Sequence, residues 1–175
     1  MEMEAGNIDD EGLELEYKNT FCLTGRNSDL HWKDTVDIVL IEVASMLNTD
    51  GGLTVVGVTD PQNSDSGEWE VRGIEREIEL KGGRDSFKQF VSESLCTRFG
   101  TGLVSSNITY HIKTVNGLHL LIIDVEPSTE TIAYFTPGGG KVKSNLNRIN
   151  ESSGLWVRVE DSSRQLAGSS ILDWY

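Results

Sequence analysis

Cysteine, proline and histidine are scarce in this chain of 175 residues, basic residues are outnumbered, and no long apolar run occurs. The two cysteines, Cys22 and Cys96, lie far apart and neither forms a C-x-x-C pair, so redox and zinc motifs are absent and both read as free thiols. The three histidines, His31, His111 and His119, show no H-x-x-x-H spacing and no cysteine neighbour, which argues against a histidine metal centre. The apolar run Leu118 to Val125 is broken by His119 and Asp124 and falls far short of the ~20 residues of a membrane-spanning helix. The amino-terminal MEMEAGNIDDEGLELE is acidic where a secretory signal needs a basic start and an apolar stretch, so the expected location is cytoplasmic.

Lys and Arg number 15 against 28 Asp and Glu, a net charge of −13 that opposes non-specific attraction to a polyanion. A nucleic-acid partner therefore needs a local basic patch. From Ala133 to Asn150 there is no acidic residue, while Lys141, Lys143 and Arg148 are present; a solvated hairpin tip is the alternative reading of that stretch.

With 37% hydrophobic and 25% charged residues, the composition is that of one ordinary globular domain. A chain of this length buries roughly two-thirds of its unfolded surface without staples. From Gly12 to Lys18, Leu13, Leu15 and Tyr17 alternate with Glu14, Glu16 and Lys18, the period of a half-buried strand. Between Trp32 and Leu47 the spacing of Val36, Val39, Leu40, Val43, Ala44 and Leu47 draws one apolar stripe along a helix. Asn48-Thr49-Asp50-Gly51-Gly52 ends it, and Leu53 to Val58 reads as a central strand with Asp60 just past its end. A turn-rich loop, 61–70, precedes Val71-Arg72-Gly73-Ile74, and Phe87, Phe90, Val91 and Leu95 mark a second helix from about Asp85 to Phe99.

Asn116-Gly117 between Ile108–Val115 and Leu118–Val125 is the signature of a tight hairpin, because both central positions need positive φ. It pairs Val115 with Leu118, Ile112 with Leu121 and Tyr110 with Ile123, and we expect these pairs to form one apolar inner face, with His111 and His119 opposite Tyr110 and Ile123. Leu155, Val157 and Val159 alternate with Trp156, Arg158 and Glu160 in a last strand. The expected fold is α+β: a single mixed β-sheet with two principal helices. Residues 1–10 are expected to be a flexible acidic terminus, 11–170 the domain and 171–175 a tail.

Several chemistries lack their residues. Thr136 to Lys143 looks like a phosphate loop, but Phe135 and Val142 stand where that motif requires glycine and Ser or Thr. No G-x-S-x-G elbow exists, nor a nucleophile with a motif-placed histidine. The carboxylates of Asp9, Asp10, Glu11, Glu14 and Glu16 around the first strand, with Asp60 ending a central one, suit Mg²⁺ or Mn²⁺. They equally suit an acidic edge that discourages aggregation. Glu14 and Glu16 share a strand face about 7 Å apart, and Glu11 joins them only if the chain bends, as Gly12 permits.

The pattern L-E-Y-K (Leu15 to Lys18), an apolar helix, N-T-D-G-G-L-T-V-V-G-V-T-D (Asn48 to Asp60) and V-R-G-I (Val71 to Ile74) resembles the Schlafen Alba-like domain family. V-E-P-S (Val125 to Ser128) and W-V-R-V-E-D-S-S-R (Trp156 to Arg164) extend the likeness over nearly the whole chain from Glu11 to Ser170. The resemblance implies a mixed α/β unit whose copies face each other across a basic groove, hence a homodimer or a subunit of a larger complex. In catalytic members it implies a metal-dependent endoribonuclease acting on tRNA and other structured RNA, with a defence or toxin role. Its three acidic positions correspond to Glu11, Glu16 and Asp60, which would hold Mg or Mn. Lys18, Lys141, Lys143, Arg148, Arg158 and Arg164 would contact RNA, arginine favouring bidentate phosphate bonds. This chain departs from the family pattern at Glu160-Asp161, where glycine usually follows the R-V pair, in a longer loop after Asp60, and in an insertion between Ala133 and Leu155. The alternatives are a non-catalytic nucleic-acid-binding regulatory module and a protein-interaction subunit of a larger assembly.

Overall fold

The structure, a computed structural model, describes residues 12–24, 32–129, 133–135 and 154–166. Its frame is a mixed four-stranded sheet. Strand β1 (Leu15–Lys18) runs parallel to β2 (Gly52–Val56), which pairs antiparallel with β6 (Leu118–Val125), itself paired with β5 (Ile108–Val115). Helix α1 (Trp32–Leu47) lies on one face of this sheet, and α3 (Arg84–Phe99) packs beside it. The α+β class, the mixed sheet and the two principal helices thus stand as the sequence implies.

Further elements surround this frame. The expected strand 53–58 breaks at Gly57, whose carbonyl accepts the N–H groups of Arg72 and Gly73, so a short β3 (Val58–Thr59) peels off to pair with β4 (Glu70–Val71). Two short helices, α2 (Glu75–Leu80) and α4 (Thr101–Asn107), flank α3; their few apolar residues give no period to read. The last expected strand is β8 (Gly154–Val159), held between β7 (Tyr134–Phe135) and a polar strand, β9 (Ser162–Leu166), that carries no hydrophobic alternation. β8 and β9 join through Glu160, a non-glycine residue at φ +57°, in the left-handed region where glycine is at ease.

The β7–β8–β9 sheet covers the side of α1 turned away from the main sheet, so the helix is buried almost all round. Besides the apolar stripe, Thr35, Asp37 and Ser45 are buried, and Asp37 is matched by Arg98 of α3 at 2.8 Å. From Gly154 to Arg158 every residue of β8 is buried, which overrides the alternation expected of a strand with one wet face.

The hairpin has the expected register throughout, with Asn116 and Gly117 at φ +51° and +83°. Its faces divide differently from the expectation. Ile112–Leu121 and Tyr110–Ile123 face the helices, but the Val115–Leu118 pair has the opposite parity, and its Val115 joins the second apolar cluster around Tyr17, Val55 and Leu120. His119, paired with Thr114, shares the face of Leu121 and Ile123, and its ring meets Glu75 at 3.1 Å; His111 alone lies opposite.

The N-T-D-G-G turn earns its residues by close contact. Asn48 donates to the carbonyls of Ala133 (2.9 Å) and Trp156 (2.8 Å) and accepts from the Ala133 N–H (2.7 Å), which fastens the end of α1 to the small sheet. A Cβ on Gly51 would fall 2.5 Å from the Val125 carbonyl, and one on Gly52 2.7 Å from that of Glu14. The main sheet closes over this turn only because both side chains are missing.

Glu77 of α2 is buried and its Oε1 accepts the N–H groups of Phe21 (2.8 Å) and Cys22 (2.7 Å), anchoring the segment that leaves β1. Burial raises the Glu77 pKa above the ordinary 4.5, against the pull of these bonds. Burial, then Glu77, also pushes the Cys22 thiol up to about 12, so this free cysteine is unreactive. A carboxyl whose pKa is raised by folding stabilises below its unfolded pKa and loses that contribution as pH rises through the folded value. Glu77→Gln keeps the acceptor without the charge, so its stability relative to the parent protein should increase as pH rises from about 4.5 through neutrality. Thermal unfolding across that range checks this; a difference independent of pH would contradict it.

Candidate functional site

The site is built on β1, where alternate side chains share a face. Glu16 and Lys18 both turn toward α1, and their side chains pair directly. From the helix, Glu42 reaches Lys18 at 3.3 Å. From β8, Arg158 reaches Glu16 at 2.7 Å and Glu42 at 3.2 Å. The same guanidinium donates to the carbonyls of Gly12 (2.6 and 3.0 Å) and Leu15 (3.2 Å). Ser163 of β9 donates to Glu42, and Ser45 of α1 lies 2.7 Å from the Ser163 hydroxyl.

Three parts of the chain thus meet in one electroneutral cluster of two carboxylates and two cations. The Arg158 side chain is fully buried and Glu16 is 7% exposed, while Glu42 at 14% and Lys18 at 21% open toward solvent. Burial disfavours the Lys18 ammonium, yet Glu42 and then Glu16 hold its pKa above the ordinary 10.5, so it remains charged.

Of the residues singled out from sequence, Glu16, Lys18 and Arg158 come together here. Arg158 is buried as an internal partner where the resemblance places it against RNA. Arg164 is exposed on β9. Asp60 follows β3 in a turn of its own. Its Oδ1 accepts from the N–H groups of Gln62 (2.7 Å) and Asn63 (3.1 Å), and its Oδ2 from the Asn63 side chain (2.6 Å). Glu11, Lys141, Lys143 and Arg148 lie outside the described residues.

Sequence reasoning missed Glu42, Ser45 and Ser163. Glu42 had a signal, being the one charge inside the apolar run Ile38 to Leu47 of a buried helix. The serines had none.

The resemblance implies Mg or Mn on Glu11, Glu16 and Asp60. Both Glu16 oxygens already face a cation, and both Asp60 oxygens are engaged by its own turn. Among the described residues, no group of three or more His, Cys, Asp or Glu side chains could hold a metal ion. The two described members are thus held separately, Glu16 in a charge-balanced cluster and Asp60 in its turn, while Glu11 lies outside the described residues.

Removing one partner of a buried pair costs about 3–5 kcal/mol, because the other charge is stranded. Glu16→Gln and Arg158→Met should each destabilise the protein strongly. The double variant should cost less than their sum, with a coupling of about 1–3 kcal/mol in urea unfolding. Additive effects would show that the pair is not coupled.

Comparison with known proteins gives the family. No curated protein matches the chain. Among solved structures, the DIP2311 protein from Corynebacterium diphtheriae shares 21% identity at a TM-score of 0.55, over 93% of this chain and 27% of that one. The N-terminal domain of a Nitrosomonas europaea protein named as related to the ATP-dependent DNA helicase RecG shares 19% identity at a TM-score of 0.48, over 76% of this chain and 78% of that one. The first likeness shows the fold alone, and this chain spans about a quarter of that protein's length. Among the described residues, no helix is long and apolar enough to cross a membrane. The sequence model of the Schlafen, AlbA_2 family matches residues 11–167, from the residue before Gly12 to the residue after β9, and the chain therefore belongs to that family.

Proposed function

We propose that this domain binds RNA, with structured RNA such as tRNA as the partner, and that the described residues serve binding and not cleavage. The observation that carries the choice is the neutralised state of the acids: Glu16 is held by Lys18 and Arg158, and Asp60 by its own turn. Family membership supports a nucleic-acid partner. At a net charge of −13 the contacts are local, with Arg164 on β9 and Lys141, Lys143 and Arg148 beyond the described residues as the candidates. Pairing into a homodimer, or assembly into a larger complex, belongs to the same proposal.

A second reading, a metal-dependent endoribonuclease, is favoured by one arrangement. Glu16 and Lys18 place a carboxylate beside an ammonium on one strand face, at the positions where the family resemblance puts an acidic catalytic residue and its neighbour. It requires Glu16 to leave its present partners and a third carboxylate, Glu11, to join.

Labelled tRNA titrated at several salt concentrations, with the products resolved on a denaturing gel in Mg²⁺, Mn²⁺ or EDTA, tests both. The expected result is binding that weakens with salt, each phosphate contact contributing a slope of about −0.7 to −0.9 in log K against log salt, and intact RNA throughout. A flat salt response or no binding would overturn the proposal in favour of a protein-interaction role. Metal-dependent fragments lost in Asp60→Asn and in Glu16→Gln shown to be folded would establish the nuclease.

A further inference from the structure

Glu42 receives three kinds of donor: the Arg158 guanidinium at 3.2 Å, the Lys18 ammonium at 3.3 Å and the Ser163 hydroxyl. A planar cation, a compact cation and a hydroxyl converging on one anion are the donors that proteins aim at phosphate. We propose that these three form a phosphate site that Glu42 occupies as an internal substitute, and that a phosphodiester of bound RNA displaces it; the RNA half of this rests on the function proposed above.

Charge and position both select Glu42 as the displaceable anion. With Glu42 in place, the buried set holds two positive and two negative charges. A phosphodiester carries a single negative charge, so exchanging it for Glu42 restores the same balance, whereas a divalent cation would upset it. Glu16 is the floor of the site, 7% exposed, with both oxygens tied to cations. Glu42, 14% exposed, and Lys18, 21% exposed, stand at the mouth. Ser163 lies 2.7 Å from the Ser45 hydroxyl, which places its oxygen beside the anion position.

Glu42→Gln removes the competing charge and keeps the shape. Its tRNA affinity should rise about tenfold over the parent protein, with a salt slope steeper by about one phosphate contact. Inorganic phosphate should raise its melting temperature more than chloride of equal ionic strength does, while leaving the parent protein nearly unmoved. Both gains should vanish when Ser163→Ala or Lys18→Met is added. Parent protein that binds tRNA, with no gain in folded Glu42→Gln, overturns this proposal and leaves the RNA reading intact. No tRNA binding by either protein, with phosphate stabilising Glu42→Gln, removes the RNA reading and keeps the phosphate site. If Glu42→Gln is unfolded in chloride, refolding on addition of inorganic phosphate supports the proposal, and failure to refold shows that Glu42 is a structural lock and overturns it.

Discussion

A guanidinium with no access to water must find an acceptor for each of its N–H groups, and that demand at Arg158 organises the molecule. Its acceptors are the Gly12 and Leu15 carbonyls, Glu16 and Glu42, which come from the approach to β1, from β1 itself and from α1. Satisfying one side chain therefore joins the main sheet, the central helix and the small β7–β8–β9 sheet. Asn48 adds a second fastening between the same helix and the same small sheet. The helix is then enclosed on two sides, which explains why a segment with a single apolar stripe is buried nearly all round.

The fold was legible where local chemistry decides it. The α1 stripe, the Asn116-Gly117 turn and the hairpin register follow from period and turn geometry, and each is present as expected. The faces of that hairpin were legible in principle, since parity alone separates Val115–Leu118 from Ile112–Leu121. What could not be read was anything set by distant partners. The polar β9 exists because β8 offers it a ladder, α2 because Glu77 anchors it to the segment after β1, and the break at Gly57 because two N–H groups reach its carbonyl. At the site, the family pattern named Glu16 with Glu11 and Asp60 as acids and Lys18 and Arg158 among the RNA contacts, and the structure brings Glu16, Lys18 and Arg158 together. The pattern assigned them outward roles, because a motif records residue types and not what neutralises them.

That distinction bears on the family's chemistry. Acidic residues at matching positions carry a reaction only when their oxygens are available, and availability depends on neighbours that a motif does not specify. Here Glu16 faces a buried arginine and its own lysine, and Asp60 caps the polar turn after β3. Belonging to the Schlafen AlbA_2 family fixes the scaffold; the surroundings of each carboxylate decide its use.

The distribution of charge constrains how any polyanion is met. The buried cluster is neutral and so projects little field beyond its own contacts, while the chain as a whole carries −13. Long-range attraction is therefore absent, and approach is opposed until a phosphate comes within about a Debye length, ~8–10 Å at ordinary salt, of a basic side chain. Affinity under those conditions comes from short contacts made after encounter and discriminates against unstructured polyanions that offer charge without shape. A neutral cluster with two of its members near the surface suits that regime, because exchanging one internal anion for one external anion needs no net change of buried charge.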